Sequence, residues 1–370
     1  MRKIVFIFYF LFLISFVVFS YLFVDPGLFY LRFSFTNFFQ LHRVITTCLF
    51  SLSIIFFFTF YAYFLHEVNR NTVSISTIFA LSIGSAAVLL FAYPAMISFD
   101  IFNYIATAKV TFFYHENPYI LMPIAFTKDP LLLFMHAPNK IALYAPFWIL
   151  LTAVPYILGF GNFLLILFNF KLFSAFFYLC TIFLLWKMTK SKFKTTLFAL
   201  NPLVLIELLV SAHNESIMLF LFLAGSYFLF ENQKGKGSVL FVLSIFIKYA
   251  TAVLVPLFIY ATIKQISKER FFLWTTIFMY IIFFASAFRE EIYPWYTLWF
   301  FLPSIFLFKN SLFTWITTTF TFSMLLRYIP FMFIGTYFGP TPLLKIVLMW
   351  IPVLLAALAY FTTQKKKQLI

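Results

Sequence analysis

Ser98 to Tyr119 reads SFDIFNYIATAKVTFFYHENPY, and it is the first place where an otherwise lipid-soluble chain gathers an acid, two Asn, a Lys, a His and a Glu. Asp100, Asn103, Tyr104, Thr107 and Thr111 recur at helical spacing, while Ile101, Ile105, Ala108 and Phe112 make the opposite face. This spacing predicts a helix lying on a membrane surface with an acid at its start. The fold follows from what surrounds it. Of 370 residues, 64% are hydrophobic, 24% aromatic and only 10% charged, too little polar surface to cover a water-soluble globule.

The expected fold class is therefore an all-α polytopic membrane protein, a single membrane domain over 1–370. Apolar windows predict about ten spanning helices, near 4–24, 44–65, 73–97, 162–186, 195–212, 216–231, 271–288, 295–309, 312–338 and 342–361. The first follows Arg2 and Lys3 but is long enough to span and precedes no small-residue cleavage site, so it reads as a retained helix. With both termini cytoplasmic, the basic clusters at 187–194, 234–236, 264–270, 309 and 365–367 all fall inside; Arg32 and Arg43 are the exceptions. The same threading puts Asp100 on the external face. It makes 98–160 an external loop with interfacial helices, the second of them over 141–158, and leaves 237–262 as a re-entrant or broken helix carrying Lys248.

A net charge of +15 raises the question of nucleic acid, but the basic residues are scattered between apolar segments rather than gathered in one stripe, so no nucleic-acid partner is expected. Cys48 and Cys180 lie in apolar runs without metal-type spacing. The nine glycines form no phosphate loop, so no nucleotide site is expected.

Charges at membrane depth cost about 2.5 to 3.5 kcal/mol each at a helix centre, so every one needs a partner or a task. Four blocks hold most of the candidates. In the first, Asp100 reads either as a helix-start acid or as a general base, and Asn117-Pro118-Tyr119 as a turn or part of a site. Lys109 can simply snorkel to headgroups. In the second, Asn201-Pro202-Leu203 precedes Glu207 and then His213, Asn214 and Glu215, a polar turn or a set of ligands for a substrate; Glu207 needs a polar neighbour, with Lys248 the candidate. The third is Lys248 itself, a snorkelling lysine or a cation for a phosphate. The fourth is Arg289, Glu291, Pro294, Trp295 and Tyr296, a surface pair beside an aromatic belt or a binding block.

These blocks, in this order, resemble those of the C-type glycosyltransferase fold, particularly the polyprenyl-phosphate-mannose-dependent mannosyltransferases. That family opens its first external loop with an acid and an aromatic-rich helix, closes it with Asn-Pro-Tyr, and carries Asn-Pro-Leu, His-Asn-acid and Arg-x-Glu-x-x-Pro-Trp-Tyr patterns. The resemblance implies transfer of a hexose, mannose first among them, from a polyprenyl-phosphate donor to a cell-envelope glycan or lipid acceptor at the external face of the plasma membrane. It implies Asp100 as base and Lys248 and Arg289 on the donor phosphate. His213, Asn214 and Glu215 would lie near the sugars, with Asn103, Lys109, Asn117 and Tyr119 also toward substrate. Glu291 would orient Arg289 or bind a sugar hydroxyl, and Trp295 would stack on a sugar ring. Many relatives carry adjacent acids where this chain has Phe99 before Asp100, which leaves a divalent metal without support. No cofactor beyond the lipid-linked sugar is expected. Arg327 matches no family pattern and reads as a contact to lipid phosphate on the outer side. The rival readings are a lipid-linked glycan polymerase or ligase using a pyrophosphate donor, a flippase or transporter of a lipid-linked sugar, and a catalytically inactive subunit.

Overall fold

The structure is a computed structural model that describes the backbone of residues 2–31, 37–289, 291–307 and 312–368. The side chains of residues 2, 3, 289, 314 and 363–368 are outside the description. The described residues are helical or irregular, without strands. In chain order the principal helices are α1 (Arg2–Ser20), α2 (Arg43–Asn69), α3 (Ile75–Leu89), α4 (Asp100–Phe112), α5 (Pro146–Ile157), α6 (Phe163–Thr189), α7 (Lys192–Ala199) and α8 (Pro202–Val210). They continue with α9 (Glu215–Phe230), α10 (Lys234–Ile245), α11 (Val255–Lys264), α12 (Lys268–Arg289), α13 (Thr297–Ser304), α14 (Leu312–Leu326), α15 (Tyr328–Ile334) and α16 (Thr341–Gln368).

Among the described residues five stretches are long and apolar enough to cross a membrane: Ile4–Phe23, Arg43–Asn69, Phe163–Thr189, Lys268–Phe288 and Thr341–Thr362. The pair α7 and α8, bent by 46°, makes a sixth if it is one span. The other expected spans are shorter or interrupted. The 73–97 window holds only α3, which ends at Leu89 before the turn into Pro94. The 195–212 window breaks at Asn201, whose side-chain oxygen accepts from the Leu203 N–H and restarts a helix with Pro202 in its first turn. The 295–309 window gives the eight-residue α13, and 312–338 divides at Arg327. The two helices expected in the external loop are present and short, 13 and 12 residues. The 237–262 segment is interrupted, as α10 and α11 separated by a 3-10 turn over Tyr249–Leu254.

Contacts divide the chain into two compact units. The first comprises Met1–Leu41, Ala80–Leu184 and Leu205–Tyr249; the second comprises His42–Phe79, Leu185–Val204 and Ala250–Ile370.

In the first unit, α9 and α10 approach through Gly225 and Gly237. A Cβ on Gly225 would sit 3.0 Å from the Gly237 carbonyl oxygen, and one on Gly237 would sit 2.9 Å from that of Gly225. Small residues here let two backbones pack directly, the usual way apolar helices associate where no water is expelled. The break after α10 is then tied to α5, because the Phe246 carbonyl accepts from the N–H groups of Phe147 and Trp148 at 3.0 and 3.1 Å. Lys171, fully buried in α6, donates to the Leu89 and Ala92 carbonyls. A hydrogen-bond donor on the unsatisfied carbonyls of a helix C-terminus is well placed, so Lys171 stabilises the end of α3, just before the segment that carries Asp100.

The second unit is joined by sparse polar contacts within apolar packing. Tyr61 donates to the Leu197 carbonyl at 2.8 Å and Asn201 donates to the Thr321 hydroxyl at 3.1 Å. Stacked rings, Tyr280 on Phe300 at 3.9 Å and Phe272 on Phe306 at 3.7 Å, show one use of the high Phe content.

Candidate active site

Asp100 is the first residue of α4, where a carboxylate is favoured by the helix dipole, and 29% of its side chain is exposed. Behind it lies His213, which reaches its position through two local irregularities. Residues Leu205–Val210 form a π-helical turn, and Ala212 adopts a left-handed conformation with φ 55°. Together they fold the chain back so that the His213 N–H donates to the Glu207 carbonyl at 3.0 Å. The imidazole then stands between two acids, with Nδ1 3.6 Å from Asp100 Oδ2 and Nε2 3.2 Å from Glu207 Oε2. His213 and Glu207 are fully buried.

Burial, and then the Lys248 charge, push the imidazole well below its ordinary value, toward the neutral form. A neutral imidazole has one N–H to offer two carboxyl groups. The imidazole thus lies between the two carboxyls and lines the back of Asp100.

Glu215, fully buried, opens α9, and Lys248 from the break after α10 contacts it directly. Lys248 keeps 22% of its side chain exposed. Two tyrosines lie within electrostatic reach of both acids: Tyr104 and Tyr144 both have hydroxyls held far above their ordinary value by burial and then by the Asp100 charge, with Glu215 adding to it. Both remain proton donors. The Tyr104 hydroxyl accepts from the Asn214 N–H at 3.5 Å, and Tyr144 pairs with the Asn103 side chain. The fully buried Asn214 side chain has no hydrogen-bond partner among the described residues for either its oxygen or its nitrogen. Among those residues no three His, Cys, Asp or Glu side chains cluster so as to hold a metal ion.

The first unit thus brings together Asp100, Asn103, His213, Asn214, Glu215 and Lys248. It adds Glu207, Tyr104 and Tyr144. Glu207 meets His213, and the Lys248 expected beside it pairs with Glu215. The remaining candidates whose side chains are described have other contacts. Lys109 binds Asp129 at 2.8 Å, and Tyr114 donates to the same carboxyl at 3.0 Å, which ties α4 to the loop beyond it. Asn117 closes its own turn by accepting from the Tyr119 N–H at 2.9 Å. The Tyr119 hydroxyl donates to the Tyr144 carbonyl at 2.8 Å, so the Asn-Pro-Tyr turn positions Tyr144. In the second unit Trp295 is 6% exposed and stacks on Tyr293 at 4.6 Å, so its faces are already largely covered. Glu291 binds Arg327 and Lys345 at 3.0 and 2.7 Å. The Arg289 side chain lies outside the described residues.

Asp100, Asn214, Glu215 and Lys248 were all visible as isolated polar residues in apolar sequence. Lys171 carried the same signal, a lysine inside the 162–186 window, and went unassigned. Tyr144 had no signal beyond its place in an apolar run.

Together, long apolar helices and a cluster of paired, mostly buried charges are consistent with a membrane protein that holds a polar site. Residues 12–264 match the family model described as alpha-(1->6)-mannopyranosyltransferase, N-terminal domain, and the chain belongs to that family, MptA_B. It is a glycosyltransferase, and the group it transfers is mannosyl. The match includes every residue of the site in the first unit and ends before α12. No curated protein and no solved structure matches the chain.

Two measurements bear on the site's electrostatics. Lys248→Met is expected to destabilise more than Glu215→Gln, because it strands a fully buried carboxylate, whereas a lone lysine at 22% exposure reaches solvent. The first should cost on the order of 3 kcal/mol and the second clearly less, read as thermal unfolding in neutral detergent. His213 gives a pH dependence with a defined sign. Its folded form resists protonation, so below its ordinary value of 6.5 the unfolded chain binds a proton the folded chain refuses. Stability then falls with acid by up to about 1.4 kcal/mol per pH unit, and His213→Gln should flatten that part of the profile.

Proposed function

We propose that this enzyme takes mannose from a polyprenyl phosphate and passes it to a hydroxyl of a cell-envelope glycan or lipid, at the external face of the cell membrane with both termini cytoplasmic. The observation that carries the reading is a pair of partly exposed groups of opposite sign, Asp100 and Lys248, each backed by a fully buried partner, His213 and Glu215. A transfer between two oxygens needs both signs. The acceptor O–H gives its proton to Asp100 while its oxygen forms the bond to the anomeric carbon. The bond from that carbon to the phosphate oxygen breaks, and its electron pair leaves with the phosphate, whose growing charge Lys248 stabilises. Direct attack of this kind inverts the anomeric configuration.

The surrounding groups have roles consistent with that step. His213 holds Asp100 and, with Glu207, offers a buried place for the proton to move on to. The unsatisfied Asn214 amide would be satisfied by sugar hydroxyls. Tyr104 and Tyr144, which retain their protons, would donate to oxygens of the bound sugar, and Asn103 sets the Tyr144 hydroxyl. Glu215 holds Lys248 through their direct contact.

The test is transfer of radiolabelled mannose from polyprenyl-phosphate-mannose to extracted cell-envelope glycans by membranes containing the wild type or Asp100→Asn. The variant should lose transfer by a factor of about 10² to 10⁴ while purified protein retains the lipid donor. Equal transfer by the two would remove Asp100 from the chemistry. Donor binding without transfer by either would favour movement of a lipid-linked sugar over its chemical transfer.

A further inference from the structure

We propose that Arg327 and Lys345 form a second anion site, for a phosphate monoester, that Glu291 occupies as an internal stand-in. The site lies wholly in the second unit and in residues beyond the family match, so it does not depend on the glycosyl-transfer reading.

The geometry is two cations converging on one atom. Arg327 Nη2 lies 3.0 Å and Lys345 Nζ 2.7 Å from the same carboxyl oxygen, Oε1 of Glu291. The side chains of Arg327 and Lys345 are only 6% and 9% exposed, while that of Glu291 is 34% exposed. Among the described residues two buried positive charges thus face one negative charge, and the negative one is the most exposed of the three.

Burying an excess charge is costly, so a cluster left one charge short of neutrality attracts a further anion. Arg327 reinforces this, since its Nε is buried with no hydrogen-bond partner among the described residues. Its other guanidinium nitrogen, Nη1, reaches only the Lys345 carbonyl at 3.3 Å and the Met349 sulfur at 3.7 Å. A phosphate monoester matches better than the carboxylate on two counts. It carries about −1.5 to −2 charges against the two cations, and it presents three oxygens where Glu291 uses one. The planar guanidinium fork together with the compact ammonium is a pairing suited to phosphate.

The rim of the site indicates a lipid-borne source. Lys345 Nζ lies 5.0 Å from the centre of the Tyr337 ring, which is 59% exposed, and the neighbouring Phe338 is 81% exposed. Gly335, at φ 84°, caps α15 and lets the Arg43 guanidinium pack against the backbone, since a Cβ there would fall 2.7 Å from its Cζ. A third cation therefore borders the same loop, and the exposed rings beside it suit a headgroup with an apolar tail.

The discriminating variant is Glu291→Gln, which keeps the shape and removes the competing charge. All proteins carry Lys248→Gln as well, so that binding at the proposed donor site does not contribute. Saturable binding of radiolabelled dodecyl phosphate to full-length protein in neutral detergent is measured with and without Glu291→Gln. Further proteins carry Arg327→Gln or Lys345→Gln. Glu291→Gln should tighten binding on the order of tenfold, and either cation variant should weaken it on the order of tenfold. Competition with millimolar inorganic phosphate distinguishes the sources. If dodecyl phosphate resists displacement, the ligand is a lipid headgroup; if it is displaced, it is free phosphate, and either supports the site. Weaker binding in Glu291→Gln would overturn the stand-in role by making Glu291 an ordinary structural partner. Absence of saturable binding to the Glu291→Gln protein, with its thermal unfolding intact, would overturn the site itself.

Discussion

A fully buried carboxylate in an apolar chain is tolerable only if a polar partner meets it in place. Glu207 and Glu215 are both fully buried, and the polar half of the first unit is arranged around that constraint. Glu215 is met by Lys248, which requires the chain to break after α10, and that break is held by the Phe246 carbonyl at the start of α5. Glu207 is met by His213, which requires the π turn and the left-handed Ala212. The breaks at 205–213 and 246–249 thus occur beside buried charge. The two members that keep some exposure are Lys248 and Asp100, the groups that the proposed transfer uses.

The second unit solves a similar problem with a different balance. Glu291 is the more exposed member of its cluster, and the two cations are buried. In the first unit the buried groups are mainly acids with a cation at the opening; here the order is reversed. The first pattern suits a site that takes up a proton and steadies a leaving anion. The second suits retention of an anion. Both follow from the cost of charge in apolar surroundings.

Much of this was legible in the sequence, and the limits have physical reasons. The helical spacing from Asp100 gave α4 its start and its polar face, because amphipathic periodicity is local. The polar turn at 213–215 and the broken segment around Lys248 were legible for the same reason: a charge or an interruption inside an apolar run stands out. Pairing was not legible. Glu207 and His213 are six residues apart, yet they meet only through a π turn that no residue type announces. The count of spanning helices was legible only in part, because hydropathy does not see where a helix ends. Leu89 closes α3 with no glycine or proline at that point, helped by Lys171 from a helix much later in the chain. Arg327 and Lys345 lie 36 and 54 residues from Glu291, beyond the reach of any local pattern.

The most direct measurement is a cryo-electron microscopy structure of the Asp100→Asn variant loaded with polyprenyl-phosphate-mannose. Donor phosphate against Lys248, with the mannose ring between it and residue 100, is the expected result. A donor whose phosphate lies away from Lys248, with residue 100 facing no sugar, would contradict the assignment of both groups.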